Sequence, residues 1–146
     1  MSAQPEAAGV FRVLVVEDNP HVSEIFRYAF KRIVFDRLGK AVEVQVEEAG
    51  DGHVAWQRIQ DAAAHGVGFE LVVLDLMLPV LDGTEVLARM RGDDACCDVP
   101  VLVITASDGE TVAKAEAAGA TAVLRKPVQF KEIREVVARV LPAQRG

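Results

Sequence analysis

Residues 13–20 read Val-Leu-Val-Val-Glu-Asp-Asn-Pro, four aliphatic side chains that stop at two adjacent carboxylates. Successive side chains of an extended segment point to opposite faces, so an unbroken apolar run fits a strand covered on both sides. Glu17 and Asp18 need water or a cation, which puts them where that strand leaves the core. The same design recurs along the chain. Short β-branched and aliphatic runs lie at 11–16, 42–46, 71–74, 99–104 and 121–124. Between them lie longer stretches with helical spacing.

The first of these, 21–38, carries Val22, Ile25, Phe26, Ala29, Phe30, Ile33 and Val34 on one face, and Gly39 is its stop. It reads as an extended first helix. The others are 51–64, 83–90, 108–118 and 131–141, with Ser107 or Asp108 capping the fourth and Gly119 ending it. Five strand–helix units in alternation predict an α/β doubly wound fold, a parallel sheet with helices on both sides. Right-handed crossovers bring the strand C-termini to one edge, where ligands of such sheets bind.

That edge gathers Glu17 and Asp18 from the first strand, Asp75 from the third, Thr105 from the fourth, and Lys126 and Pro127 from the fifth. Glu47 and Glu48 end the second strand, at the sheet margin. Clustered carboxylates repel one another, and a hard divalent cation such as Mg²⁺ offsets the cost. A carboxylate beside the metal can attack a phosphoryl group to give an acyl phosphate. An ammonium neutralises the phosphoryl oxygens, and a hydroxyl hydrogen-bonds the new group.

With "VEDN" at 16–19, "DLMLPVLDG" at 75–83, "ITAS" at 104–107 and "RKP" at 125–127, the chain resembles the receiver domain of two-component response regulators. The resemblance spans residues 11–141. It implies a flavodoxin-like fold, five parallel strands in the order 2-1-3-4-5 flanked by five helices. It implies that Asp75 is the phosphoacceptor and that Glu17, Asp18, Asp75 and the Met77 carbonyl bind Mg²⁺, with Mn²⁺ or Ca²⁺ able to substitute. Thr105 is then the switch hydroxyl, Lys126 the phosphoryl partner, Gly83 the turn into the third helix, and the Lys126–Pro127 bond is usually cis in the family. Met77 and Ser107 occupy positions that tune access of water to the acyl phosphate. Val123 stands where the family often has an aromatic ring, so no ring can swing there as an output signal.

The implied partners are a sensor histidine kinase or a histidine phosphotransfer protein, and a downstream protein on the helix 4–strand 5–helix 5 face. Two other readings compete: a pseudo-receiver that binds partners without phosphotransfer, and a phosphohydrolase with an aspartyl nucleophile. Met77 occupies the place where the hydrolase needs a second acid. On the receiver reading the chain is a signalling domain, with no catalysis beyond its own phosphorylation and dephosphorylation.

The remaining sequence sets outer bounds. With 146 residues, 51% hydrophobic and 26% charged, the chain is one domain with a core. We expect a loose leader at 1–9, a receiver at 10–142 and a short tail at 143–146, with only that tail beyond the domain, as in a stand-alone, chemotaxis-type receiver. The leader has neither a basic start nor an apolar core, and no apolar run reaches the ~18 residues of a membrane span. A soluble, cytoplasmic protein without membrane contact is expected. A net charge of −6 disfavours nucleic acid as a partner. His21, His53 and His65 lack metal-ligand spacing, and Cys96 and Cys97 are adjacent, as fits reduced thiols.

Overall fold

The computed structural model describes residues 9–106 and 109–141. The elements alternate as β1 (Val10–Val16), α1 (Pro20–Leu38), β2 (Glu43–Ala49), α2 (Gly52–Ala64), β3 (Leu71–Leu74), α3 (Gly83–Arg91), β4 (Val101–Thr105), α4 (Gly109–Ala117), β5 (Ala122–Arg125) and α5 (Phe130–Val140). All neighbouring strands are parallel, in the order β2-β1-β3-β4-β5. This is the doubly wound arrangement expected from the alternation of periods. Among the described residues no helix is long and apolar enough to cross a membrane.

The central strands are aliphatic at every position because each residue faces one of two cores. Val13, Val15, Leu71, Val73, Leu102 and Ile104 pack with Phe26, Phe30 and Val34 of α1 and with Ile133 and Val137 of α5. Their alternates Leu14, Val16, Val72, Leu74, Val101 and Val103 pack against α2, α3 and α4 through Ile59, Leu87 and Ala115. β2 is an edge strand and alternates instead, with Val44 buried between exposed Glu43 and Gln45. α1 holds seven buried residues over its 19 positions, whereas α4 buries Ala115 alone.

Several element ends differ from the periodic reading, each for a local reason. α1 starts at Pro20 because the Asn19 side chain accepts hydrogen bonds from the backbone N–H groups of His21 and Val22, at 2.9 and 3.2 Å. Proline suits the first helical turn, where its missing N–H costs nothing. α5 starts at Phe130, where the Gln129 N–H donates to Glu132 Oε1 at 2.9 Å. β2 runs on through Glu47 and Glu48 because both acids are paired. Arg12 and Arg58 hold Glu47, and Arg27 and the buried Ser23 hold Glu48.

β4 begins at Val101 rather than 99 because Arg91 claims the carbonyls ahead of it. Its guanidinium donates to Cys97 O and Val99 O at 3.1 and 2.8 Å, and to Gly119 O at 2.9 Å. The Thr121 hydroxyl in turn accepts from Val101 N at 2.9 Å. One half-buried guanidinium thus ties the end of α3 to the starts of β4 and β5. The leader and tail lie outside the described residues except for Gly9, as does the expected cap of α4 at Ser107 or Asp108.

The β3–α3 connection contains one backbone anomaly. Val80 is 81% exposed and has φ +68°, a conformation that β-branched residues rarely adopt. No side-chain burial offsets that strain. Val80→Gly should raise the free energy of unfolding by about 1 kcal/mol, relief of the left-handed strain outweighing the added freedom of the unfolded chain. Urea denaturation of the two proteins checks it, and a glycine variant less stable than the parent contradicts the strain argument.

Candidate functional site

Three strand ends build the site. β1 stops at Val16, and the Glu17 N–H still pairs with Ala49 O of β2 at 3.0 Å, so Glu17 remains locked to the sheet. β3 stops at Leu74, and the Asp75 N–H donates to Val16 O at 3.1 Å. β5 stops at Arg125, and the Lys126 N–H donates to Thr105 O at 2.9 Å. Backbone pairing thus fixes each functional residue one step beyond the ladder, where its side chain leaves the core.

Glu17 and Asp75 are only 4% and 5% exposed, and Asp18 is exposed. Carboxylate oxygens of these three residues lie within 4.8 Å of one another. Lys126 Nζ stands 2.8 Å from Asp75 Oδ2 and 3.0 Å from Glu17 Oε1. The remaining oxygens have partners too: Asp75 Oδ1 accepts from Met77 N at 2.9 Å and Glu17 Oε2 from Asn19 N at 3.2 Å.

The electrostatics follow from this crowding. Burial pushes the Glu17 carboxyl above its ordinary range. The Lys126 hydrogen bond opposes that rise and the neighbouring Asp75 adds to it. Burial alone would lower the Lys126 ammonium, but its hydrogen bonds to Asp75 and Glu17 outweigh it and hold the group above its ordinary value. One cation facing three carboxylates leaves the site short of positive charge. An all-oxygen, anionic donor set of this kind fits a hard divalent ion such as Mg²⁺.

The other residues singled out in the sequence fall around this cluster. Thr105 is fully buried at the end of β4, and its carbonyl holds the backbone of Lys126. The Met77 side chain is 65% exposed beside Asp75. The Lys126–Pro127 peptide is cis. Val123 is half-buried against the α2–α3–α4 core. Ser107 lies outside the described residues. Glu47 and Glu48 belong to the ion pairs of the sheet margin, and His21 is exposed.

Two residues inside the quoted motifs have contacts that motif spacing does not give. Asn19 caps α1 with its side chain while its N–H fixes Glu17, so one residue orients both the helix and the acid. Its place before a proline at a helix start was the available signal. Gly83 sits so close to the Asp75 segment that a Cβ there would lie 2.3 Å from Asp75 O. Any larger residue displaces the backbone that carries Asp75.

Response regulator receiver domains form the family whose profile matches residues 13–138, and the chain belongs to that family. It is 32% identical over 131 residues to the DNA-binding dual master transcriptional regulator RpaA of Synechocystis, covering 88% of this chain and 47% of that protein. The chain therefore spans about half the length of that relative. Its fold superposes on Vibrio cholerae chemotaxis protein CheY4 with TM-score 0.71 at 25% identity, covering 90% of this chain and 99% of that one. It also matches the receiver domain of the Pseudomonas aeruginosa sensor histidine kinase PA1611, which has a magnesium ion coordinated in its active-site cleft. There the TM-score is 0.69 at 24% identity, with 88% of this chain and 95% of that one covered.

Lys126→Ala would leave Glu17 and Asp75 buried against each other without a cation. We expect a loss of about 1–3 kcal/mol, toward the lower end because the lysine side chain is 28% exposed. Urea denaturation in metal-free buffer at neutral pH measures it. An unchanged or raised midpoint would mean that the ammonium does not hold the pair together.

Proposed function

We propose that this receiver accepts a phosphoryl group on Asp75 from the phosphohistidine of a sensor kinase or histidine phosphotransfer protein. The observation that carries the reading is the setting of Asp75: buried at the end of β3, with an ammonium at 2.8 Å and two further acids within 4.8 Å. In the transfer, a carboxylate oxygen of Asp75 forms the new bond to phosphorus. The histidine nitrogen–phosphorus bond breaks, and its electron pair stays with the imidazole.

Glu17, Asp18 and Asp75, with the Met77 carbonyl, would hold Mg²⁺. The PA1611 receiver, with magnesium in its own cleft, supports this assignment. Bound there, the metal neutralises charge on the phosphoryl oxygens. Lys126 provides the protein's own positive charge at the same place. When Asp75 carries the phosphoryl group, Lys126 is drawn toward it, and the Thr105 hydroxyl hydrogen-bonds one of its oxygens.

The output runs through α4, β5 and α5 to a protein partner. What supports this is the loose attachment of α4, which buries Ala115 alone among its nine residues. A helix that buries a single side chain shifts at low cost when Thr105 is pulled inward.

Incubation with a small acyl-phosphate donor and Mg²⁺, followed by intact-protein mass measurement, tests the proposal. One phosphate adduct is expected, absent from Asp75→Asn and absent when a chelator replaces the metal. An adduct that persists in Asp75→Asn moves the acceptor elsewhere. No adduct under any condition favours the pseudo-receiver. Asp18→Ala should weaken Mg²⁺ binding at least about tenfold in a calorimetric titration, the cost of losing one anionic ligand. An unchanged isotherm removes Asp18 from the ligand set.

A further inference from the structure

A well-formed concavity lies away from the phosphoacceptor. It is a groove of 590 Å³ between the C-terminal half of α1 and the start of β2. β2 begins beside the first residues of β1, so the groove lies toward the sheet edge opposite Glu17 and Asp75. Tyr28, Phe35, Val42 and Val44 are the large apolar side chains of its lining. Tyr28 and Phe35 are 68% and 37% exposed, although both are aromatic.

The rim is basic. Lys31, Arg32 and Lys40 surround the groove, against the single acid Glu43. Neither Lys31 nor Lys40 has an ion-pair partner among the described residues, and Arg32 is engaged only by the exposed Asp36. Such a local excess of positive charge stands out on a chain of net charge −6.

We infer that this groove docks an amphipathic helix of a partner protein, with an apolar stripe flanked by aspartate or glutamate. Three observations choose this occupant. Nearly every lining side chain is exposed, so the groove is too shallow for a small ligand, whose sites bury roughly 70–90% of its surface. β2 is an edge strand, but exposed Glu43 and Gln45 and the charged Glu47 blunt it against addition of a sixth strand. Tyr28, Arg32 and Phe35 recur at helical spacing along one face of α1, a ridge about 10 Å long that complements a facing helix. Tyrosine and arginine are also the residue types that dominate interface energetics. The surrounding negative charge of the protein repels acidic partners elsewhere and leaves this basic groove as their landing place. Contact here leaves the phosphoacceptor edge free, so the partner docks whether or not Asp75 is phosphorylated.

The test is a selection from a display library of helical peptides with randomised surfaces, using the whole chain as bait. Enriched peptides should combine an apolar stripe with flanking acids. Amide shifts on titrating the best of them should be confined to residues 28–35 and 40–44. Affinity should fall at least tenfold for Lys31→Glu combined with Lys40→Glu, and also for Tyr28→Ala, with the circular dichroism spectrum and Asp75 phosphorylation unchanged. Enrichment of neutral or basic peptides, shifts elsewhere, no enrichment, or indifference to the charge reversal would each overturn the inference. So would charge-dependent binding to anionic phospholipid vesicles without peptide binding, which would assign the groove to a membrane surface.

Discussion

The ammonium of Lys126 joins Asp75 and Glu17, residues 51 and 109 positions away in the chain. Both acids are almost fully buried, and carboxylates so placed repel each other and lose hydration. The parallel sheet makes the compensation possible. It ends β1, β3 and β5 on one edge, and the pairing of Lys126 with Thr105 sets the height at which the lysine emerges. If the strand order were different, the lysine would face other groups and the two acids would have no reason to stay inside.

Two pairs of neighbouring acids lie at or just beyond the C-terminal ends of neighbouring strands, and their contrast explains where the site is. Glu47 and Glu48 are met by Arg12, Arg27 and Arg58, so the margin of the sheet is electrically closed. Glu17 and Asp18, joined by Asp75, meet one lysine. The same sequence pattern is a solved problem at one strand end and a deficit of positive charge at the other. That deficit gives the site its appetite for a cation.

The fold was legible because the strongest signals are local. The run from Leu71 to Leu74 reads as a strand covered on both faces, and the second strand, ending in Glu47 and Glu48, reads as the sheet margin. The gathering of Glu17, Asp18, Asp75 and Lys126 followed from one further rule, that parallel strands end on a common side. What escaped depends on partners distant in the chain. Pro100, which has no N–H for the ladder, marks the start of β4 locally, but no motif announces that Arg91 takes the Val99 carbonyl. The sharing of Lys126 between two acids, and the near-contact of Gly83 with the Asp75 backbone, likewise exist only once the chain is folded.

Arg91 gives the sheet a mechanical polarity. Its guanidinium binds carbonyls that precede β4 and β5, so both strands are clamped where they begin. At their other ends β4 finishes at Thr105 and β5 is followed by Lys126, whose N–H pairs with Thr105 O. β4 and β5 are therefore tethered at one end by a single side chain. On the proposed switch, a pull at Thr105 would meet strands already held at their starts, which opposes sliding of the whole strand.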